Sequence, residues 1–505
     1  MIKNDFIAIA SPNQFEIKIP YHSEGNIRKV DYRTNIYFFI PKSLNINPVA
    51  YSNDHFYNDY ISYIRFITPQ RTLGNLEWRL RALVTSLERP EHDKDAFTRE
   101  MKLIVSSYVS YLERYSREFP RKPIRLTRLH TVLQRVENIH ALIEVLIPAA
   151  ESTENDDLID CAVSTSEYLS YATQNSLLEI NVYLRSHEER YQETISCIVK
   201  IVNSIIAFCK RHDLPIISSD TYQNEKVIYR SSILKKHFYS ILHLYQKKKR
   251  DGGGIKEIYY ALAAGISMIF TTVIVFVTQK EYGNFTLSFF AALVISYMFK
   301  DRIKEAYRGY FDKKLAIRTY DYREKITSLD NTLVFAAIKE RMRFVQWKTL
   351  PESVRKLRLL AVPRRLTAYL EEDIIQFEKR VTLYNRNIQN KYNHTIDGIH
   401  NIMRFDISQY FKRMDTTKVP LYRVNEHKLF GNRIYHINIV VENKTEQGTE
   451  LYRARIIVSK RGIKRIELPE SGLKIFPKSE IVRSDSWFRL KKSGLLRKKT
   501  EEQKQ

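Results

Sequence analysis

Two long stretches near the middle of the chain contain no charged residue, and they constrain the fold more than any other feature. Residues 258–278 are 21 residues without Asp, Glu, Lys or Arg, and residues 282–299 are 18 more. At 1.5 Å per residue these stretches form helices of about 31 and 27 Å, close to the thickness of a hydrocarbon core. Only three residues separate them. The sequence therefore predicts a transmembrane hairpin over residues 251–300, with two antiparallel spans.

Basic residues flank both stretches and predict the orientation of the hairpin. The flanking cations include Lys247, Lys248, Lys249 and Arg250 before the first span and Lys300, Arg302, Lys304 and Arg308 after the second. Because cytosolic flanks carry the excess of Lys and Arg, both termini are predicted on the cytosolic side of the membrane, the inner or plasma membrane if the chain is bacterial. The alternative is a pair of core helices in a soluble protein, which rarely have such flanks.

Small side chains recur at every fourth residue in both predicted spans. They are Ala261 and Gly265 in the first span and Ser288, Ala292 and Ser296 in the second. Such rows let helices approach closely, so they are predicted to pack the two helices together or, in the alternative, to build an oligomer. Neither span contains an ionisable Asp, Glu, Lys, Arg or His. The sequence therefore favours an anchor over a transporter, whose spans carry ion ligands or proton relays.

Helical periodicity dominates the chain on either side of the hairpin. Gly and Pro number only 14 and 15, and apolar residues recur at spacings of three and four over residues 53–250. The same spacing continues over residues 301–415. These patterns predict a cytosolic helical domain before the hairpin and a helical stalk or bundle after it. The predicted fold class is a mainly α membrane protein with long cytosolic helices on both sides of the hairpin.

Two other segments alternate polar and apolar residues with a period of two. The first is a small β-rich N-terminal segment, residues 1–52. The second is an antiparallel β module over residues 418–470, in which residues 433–442 and 451–459 are joined by a turn. Residues 463–468 are a candidate third strand. Residues 471–505 are predicted to form a basic tail.

The balance of charge favours anionic partners. Against 57 Asp and Glu the chain carries 82 Lys and Arg, which gives a net charge of +25. The residues predicted to contact anionic lipid or nucleic acid are Lys247, Lys248, Lys249, Arg250, Arg453, Arg455, Lys491 and Lys492. Because the hairpin already tethers the chain to a bilayer, anionic headgroups are the preferred partner and nucleic acid is the less favoured one.

The sequence contains no pattern of residues that predicts catalysis. The glycine-rich segment 251–256 fits neither common phosphate-binding motif, so it is interpreted as a hinge at the membrane surface. Cys197 and Cys209 would lie about 18 Å apart on one helix, too far to share a metal. A reactive Cys209 beside Lys210 is a minor alternative. No catalytic, cofactor-binding or metal-binding residue is predicted, and an enzyme is less expected than a non-enzymatic protein.

The leading functional prediction is a membrane-anchored, cytosol-facing scaffold, sensor or regulatory protein that acts through protein partners at the membrane. One alternative is an oligomerising two-span effector, for example in bacterial defence, that perturbs the membrane or forms a pore under the control of its cytosolic arms. A further alternative is a tethered nucleic-acid binder, or an enzyme with an unrecognised site. The expected partners are the lipid bilayer and either another protein or further copies of the chain.

Overall fold

The computed structural model describes residues 6–23, 27–88, 93–119, 126–186, 188–283, 286–360, 371–392, 396–423, 428–446, 448–468 and 474–477. Lys491, Lys492 and most of the predicted basic tail lie outside these residues. Of the described residues, about 54% are helical and 27% are in strands. The chain divides into two compact units. The first unit comprises Met1–Ile64, Tyr245–Ile388 and His400–Gln505, and the second comprises Arg65–Leu244 and Gln389–Ile399.

Twelve α-helices and fifteen strands are found in the described residues. The helices are α1 (Asn53–Asn58), α2 (Leu73–Ser86), α3 (Lys94–Glu118), α4 (Leu126–Glu151), α5 (Asp156–Arg185), α6 (Glu188–Arg211), α7 (Thr221–Tyr239), α8 (Gly253–Tyr282), α9 (Leu287–Arg318), α10 (Glu352–Leu359), α11 (Asn385–Tyr392) and α12 (Ser408–Phe411). The strands are β1 (Ile7–Ser11), β2 (Gln14–His22), β3 (Val30–Pro41), β4 (Tyr60–Phe66), β5 (Tyr245–Arg250), β6 (Tyr322–Thr327), β7 (Val334–Val345), β8 (Glu372–Leu383), β9 (Gly398–Asp406), β10 (Lys418–Leu421), β11 (Leu429–Asn432), β12 (Tyr435–Lys444), β13 (Gly448–Ser459), β14 (Gly462–Glu467) and β15 (Lys474–Pro477).

The second unit is built from helices α2 to α7, which pack through the apolar faces that the sequence pattern predicts. Leu80 on α2 and Ile104 on α3 are buried, as their helical spacing requires. Asp93 caps the N-terminus of α3, because its side chain accepts a hydrogen bond from the amide of Ala96. Between α5 and α7, the buried Glu167 accepts two hydrogen bonds from Arg230.

The first unit contains two sheets that pack face to face. The larger has nine strands in the order β14-β13-β12-β3-β8-β7-β6-β5, with β15 also paired to β13, and the smaller has the order β1-β2-β9-β4. Aromatic side chains fill the space between them. The rings of Phe15 and Phe38 lie 6.4 Å apart, and those of Phe38 and Phe405 lie 5.1 Å apart. The core of this unit is therefore a β-sandwich.

The predicted β segments at the two ends of the chain are confirmed, and the N-terminal strand β3 joins the C-terminal strands in one sheet. The strand β3 pairs with β12 on one side, where Tyr37 faces Val440, and with β8 on the other, where Tyr37 faces Gln376. The connecting turn predicted between β12 and β13 is present. Local periodicity identifies such strands but not their neighbours, because β3 and β12 lie about 400 residues apart in the sequence.

The helical prediction for residues 301–415 is correct only as far as Arg318, where α9 ends. Beyond it the chain forms β6, β7 and β8, which are neighbours in the larger sheet, and β9, which belongs to the smaller one. The error has a physical cause. These strands bury charged residues such as Glu340 and Lys379, which pair with each other across strands. Their mixed polarity imitates the solvated face of a helix, although Glu340 and Lys379 are buried.

Within the part of the chain that the structure describes, two helices are long and apolar enough to cross a membrane, judged by length and composition alone. One covers Tyr191–Arg211 within α6, which packs in the second unit, and the other covers Gly253–Glu281 within α8. The second predicted span, residues 282–299, falls mainly on α9, which is not one of these two helices. Residues 284 and 285, in the connection between α8 and α9, lie outside the described residues.

Candidate functional site at the root of the helical hairpin

The helices α8 and α9 are inserted between two paired strands at the edge of the larger sheet. The last residue pair of β5 and β6 before the helices is Arg250 with Tyr322. Beyond this pair the amide of Asp251 donates a hydrogen bond of 3.0 Å to the carbonyl of Asp321. The guanidinium of Arg323 also lies 3.5 Å from the carboxylate of Asp251. The strand pairing therefore continues up to the point where the helices begin.

Gly252 forms the turn from β5 into α8. Its φ is +78°, in the left-handed region that favours glycine, and a Cβ atom there would lie 3.1 Å from Cγ2 of Thr319. Gly253 and Gly254 are already inside the helix, and a Cβ on either would meet no described atom within 4 Å. The three glycines therefore do not form the linker that the predicted hinge requires, because the first is packed and the other two are helical.

A closed network of four charged side chains lies next to this junction, on the inner face of the larger sheet. The ammonium of Lys379 is 2.7 Å from one oxygen of Glu340, and that of Lys248 is 2.8 Å from the other. Lys248 also lies 3.2 Å from Glu324. The hydroxyl of Tyr60 donates to Glu340 and accepts a hydrogen bond from Lys379, each at 2.8 Å. Strands β5, β6, β7 and β8, which are paired through their backbones, are thereby joined by side chains to β4 of the smaller sheet.

Three tyrosine rings surround the ammonium of Lys248. Its Nζ lies 4.6 Å from the ring centre of Tyr322, 5.2 Å from that of Tyr57 and 5.4 Å from that of Tyr60. A cation held over aromatic faces is stabilised by their quadrupoles. The sequence predicts that Lys248 contacts lipid or nucleic acid; in the structure its ammonium is paired with Glu324 and Glu340, and its side chain is 34% exposed. A residue inside a run of four basic residues looks solvated, although alternate residues of a strand face opposite sides.

The two carboxylates of the network differ in their affinity for protons. Burial alone would raise the pKa of Glu340, but the charges of Lys379 and Lys248 outweigh burial and hold this pKa below its usual value. Burial raises the pKa of Glu324, and the negative charge of Glu340 raises it further. Glu340 is therefore the fixed anion of the network, and Glu324 is the carboxylate that takes up a proton first as the pH falls.

The seam between α8 and α9 uses small residues, but only some of the predicted ones. Ser296 is buried on α9 and Ala292 is half-buried, as expected for the seam, whereas Ser288 is exposed. On α8 the buried positions are Ala263, Ser267 and Thr271. The hydroxyl of Thr271 lies 3.5 Å from the carbonyl of Ser296, so these two residues face each other across the seam.

The predicted packing residues of α8 lie on its other side. Ala261 is exposed, and a Cβ on Gly265 would meet no described atom within 4 Å. The prediction that these two residues pack against the second helix is therefore wrong. A spacing of four defines a stripe along a helix, but it does not tell which stripe faces the partner, and a shift of two residues turns a side chain by about 200°.

Charged residues of α9 lie at the same level as apolar residues of α8. The hydroxyl of Tyr260 donates to the carboxylate of Asp312 at 2.7 Å, while Thr271 lies opposite Ser296. These two contacts fix the antiparallel alignment, so the charged part of α9 from Lys300 to Asp312 runs beside the first half of the predicted α8 span. The layer in which neither helix is charged is only about 16–20 Å deep at 1.5 Å per residue. The uncharged stretches of the two helices are therefore offset along the hairpin and overlap over only part of their length.

The two arginines predicted to contact lipid or nucleic acid on β13 are not equally accessible. Arg453 is buried, and its pKa falls to about 10 because of burial first and then the charges of Arg358 and Arg455. Arg455 is partly exposed and lies 3.5 Å from Glu467. The prediction of a surface contact is therefore wrong for Arg453. Lys247, Lys249 and Arg250 are exposed, as the prediction requires.

Other candidate chemistry finds little support. Burial raises the pKa of the Cys209 thiol, which opposes the alternative of a reactive thiolate. Among the described residues no group of three or more His, Cys, Asp and Glu is arranged to hold a metal ion.

The network around Glu340 and the tyrosines beside it are not predicted by the sequence pattern. Their signal was present as single charged residues inside strongly apolar strands, such as Glu340 within β7 and Lys379 within β8. A buried charge in a strand requires a partner, but the partner's identity depends on strand order, which the local pattern does not contain.

Comparisons with known proteins add no family to this description. Searches against protein-family models and against curated protein sequences find no match. Among solved structures, the chain is similar to a de novo designed 16-helix transmembrane nanopore, at 11% identity and a TM-score of 0.22, over 48% of this chain and 81% of the other. At that TM-score the likeness supports no conclusion about the fold or the function.

Proposed function

We propose that this chain is a membrane-anchored, non-enzymatic sensor or regulatory protein, in which the β-sandwich controls the α8–α9 hairpin. In this proposal α8 enters the bilayer, α9 returns beside it, and both arms remain on the cytosolic side. The length and apolar surface of α8 support this placement. The basic residues on both sides of the hairpin support the orientation, and they suit anionic headgroups.

The observation that carries the proposal is the direct connection between strands and helices. A simple anchor needs only a flexible linker between its soluble part and its membrane part. Here β5 and β6 remain paired up to the hairpin, and Asp251 is bonded to Asp321 at its base. The buried charges around Glu340 fix the same two strands to the rest of the sheet. A change in the sandwich that moves β5 and β6 therefore moves both helices.

Hydrogen exchange in lipid nanodiscs tests this coupling. The perturbation is Glu340→Gln, with Tyr60→Phe as a milder variant that removes the hydrogen bonds of one hydroxyl to Glu340 and Lys379 but no charge. The readout is the exchange of amides at residues 300–314 on α9, which lie far from the substitution along the chain. If the junction transmits the change, both variants increase exchange there, and Glu340→Gln has the larger effect.

A matched pair of linker insertions separates coupling from general loosening. Gly-Ser-Gly-Ser is inserted after Asp251 and after Thr319, which breaks the connection without touching the charge network. In that background, Glu340→Gln should leave exchange at residues 300–314 unchanged. An unaltered α9 in Glu340→Gln with the native junction would oppose the proposal and leave the hairpin as an anchor alone.

A second candidate function is an oligomeric effector that perturbs the membrane. It is favoured by one specific observation, the alignment of charged residues of α9 from Lys300 to Asp312 beside apolar residues of α8. In a hydrocarbon core about 30 Å deep, such charges must face water or one another. A ring of hairpins would place them toward a water-filled lumen. The exposed row of Ala261 and Gly265 would then be available for contact with a second copy.

Dye release from liposomes tests the second candidate. Gly265→Leu fills an exposed position and should spare the hairpin, whereas Ala292→Leu changes a half-buried position in the seam. An effector should lose both cross-linked oligomers and dye release in Gly265→Leu while its hairpin stays formed. Wild-type protein that releases no dye at any protein-to-lipid ratio would contradict the effector.

A further inference from the structure

Six basic residues form one straight row across six adjacent strands of the larger sheet. The pairing register places Lys249 opposite Arg323, Arg323 opposite Lys339, Lys339 opposite Arg380, Arg380 opposite Arg33, and Arg33 opposite Lys444. Directly opposed residues in a sheet lie on the same face. At about 4.8 Å between strands, the row is about 24 Å long. We call it the basic row. It lies on the outer face, because the Glu340 network occupies the inner one.

The basic row points outward, and the carboxylates beside it lie underneath. The side chains of Arg33, Arg323, Arg380 and Lys444 are between 42% and 56% exposed. Two of their partners, Glu378 and Glu442, are only 1% and 2% exposed. The other two, Asp31 and Asp251, are more open and lie 4.0 Å from Arg380 and 3.5 Å from Arg323. These acids orient the cations without covering them.

Additional cations on the same face strengthen the positive field. Glu378 is shared by three arginines, with Arg341 at 2.6 Å, Arg33 at 2.9 Å and Arg343 at 3.8 Å. Lys247 and Lys325 face each other one pair further along β5 and β6. The face therefore carries ten cations in the basic row and beside it, against the four carboxylates described above. Such an excess along a line attracts a linear polyanion.

We propose that the basic row binds the phosphate backbone of single-stranded nucleic acid. A row about 24 Å long suits a single strand of nucleic acid. Binding sites for single strands that do not read sequence are basic grooves that span roughly four or more nucleotides. The contacts offered are charges rather than groups that read base edges, so the binding is independent of sequence and sensitive to salt. This inference goes beyond the proposed function and does not depend on whether the hairpin transmits a signal.

The position of the basic row favours a soluble polyanion over lipid headgroups. The part of α9 from Lys300 to Arg318 separates the uncharged layer of the hairpin from β6, and it is about 27 Å long. Screening reduces electrostatic attraction within about 8 Å at physiological salt. If the bilayer ends where the charged part of α9 begins, its headgroups are therefore too far away to attract the basic row electrostatically.

Fluorescence anisotropy with the detergent-solubilised full chain tests the proposal. The probes are fluorescein-labelled 12-nucleotide oligo(U) and oligo(dT). The test variant combines Arg323→Gln with Arg380→Gln, which removes two exposed cations of the basic row. The matched control combines Lys18→Gln with Lys94→Gln, which removes the same charge at similarly exposed positions outside it. A third variant, Arg323→Lys with Arg380→Lys, keeps the charge.

The expected result has three parts. Wild-type protein binds both probes, with a slope of log K against log salt of up to about −4 if six phosphates are contacted. The test variant binds about tenfold or more weakly, and its slope is smaller in magnitude by about 1.4. The matched control and the lysine variant bind like wild type.

Several results would overturn the proposal. Absence of binding by wild type would do so, and so would an equal loss in the test variant and the matched control, since that pattern reports net charge alone. Sedimentation with phosphatidylserine–phosphatidylcholine vesicles forms a second arm. If the test variant loses vesicle binding but keeps oligonucleotide binding, the basic row is a lipid contact and not a nucleic-acid site. If the test variant melts at a much lower temperature than wild type, the proposal is judged on the lysine variant instead. That variant must then retain binding.

Discussion

The carboxylate of Glu340 and the ammonium of Lys379 lie 2.7 Å apart on neighbouring strands, and both side chains are completely buried. A buried pair of this kind adds little net stability, because each charge loses its hydration. Removing one partner is costly, since the other charge is then buried alone. The pair therefore fixes the relative position of β7 and β8, and through Lys248 it also fixes the edge strand from which α8 begins.

The first prediction concerns this pair. Glu340→Gln should lower the free energy of unfolding by about 3–5 kcal/mol, because Lys379 and Lys248 lose their common anion. The measurement is denaturant unfolding of the detergent-solubilised chain, followed by the fluorescence of the sandwich. The control is Glu352→Gln, which breaks an exposed pair with Lys356 on α10 and should cause no measurable change. Equal effects of the two substitutions would contradict a buried network.

The second prediction concerns the pH dependence that Glu324 confers. Its pKa is raised in the folded protein, so the folded state holds this proton more tightly than the unfolded state. The stabilisation from protonated Glu324 is complete below the unfolded pKa and is lost as the pH rises through the folded pKa. The melting temperature of Glu324→Gln, measured relative to that of wild type, should therefore increase as the pH is raised from about 5 to about 8. If the melting temperatures of the two proteins change with pH in parallel over that range, the pKa of Glu324 is not raised in the folded protein.

The third prediction concerns the turn into α8. Gly252→Ala should destabilise the first unit by about 1–3 kcal/mol, since its φ is +78° and its Cβ would press on Thr319. Gly254→Ala is the matched control, because it lies in the helix with open space around it, and it should be neutral or stabilising by up to about 1 kcal/mol. Thermal unfolding measures both. If Gly252→Ala is as well tolerated as Gly254→Ala, the junction is a loose linker.

The fourth prediction concerns the seam of the hairpin. In a chain whose three native cysteines are replaced by alanine, Thr271→Cys and Ser296→Cys should form a disulfide under mild oxidation, because these residues touch. Ser267→Leu, at a buried position of the seam, should prevent the cross-link. Gly265→Leu should leave it intact. Loss of the cross-link in Gly265→Leu instead would place the predicted small-residue row back in the seam.

The sequence was sufficient for features that depend on local pattern. The apolar run at residues 258–278 lies within α8, and the turn at residues 443–449 joins β12 and β13. It was insufficient where partners come from distant parts of the chain. The strand β8 buries Glu378 and Lys379 on opposite faces, each paired across strands, so neither face shows the apolar alternation expected of a strand.

The functional residues follow the same rule. Lys247, Lys248, Lys249 and Arg250 read as one basic cluster in the sequence. In the sheet, Lys249 joins the outward-facing basic row, whereas Lys248 turns inward to Glu340. Their different roles arise from the alternation of side chains along β5 and from the neighbours of that strand. A helical or looped interpretation of the segment does not reveal this difference.

Cysteine accessibility in liposomes tests the central claim most directly. Single cysteines at Met268, Phe276 and Tyr310 are introduced into the cysteine-free chain and exposed to a membrane-impermeant maleimide, with and without Glu340→Gln. We predict that positions 268 and 276 are protected, that position 310 is labelled, and that Glu340→Gln changes the labelling rate near the base of the hairpin. Equal labelling of all three positions would contradict insertion into the membrane. Labelling rates that are the same with and without Glu340→Gln would contradict control of the hairpin by the sandwich.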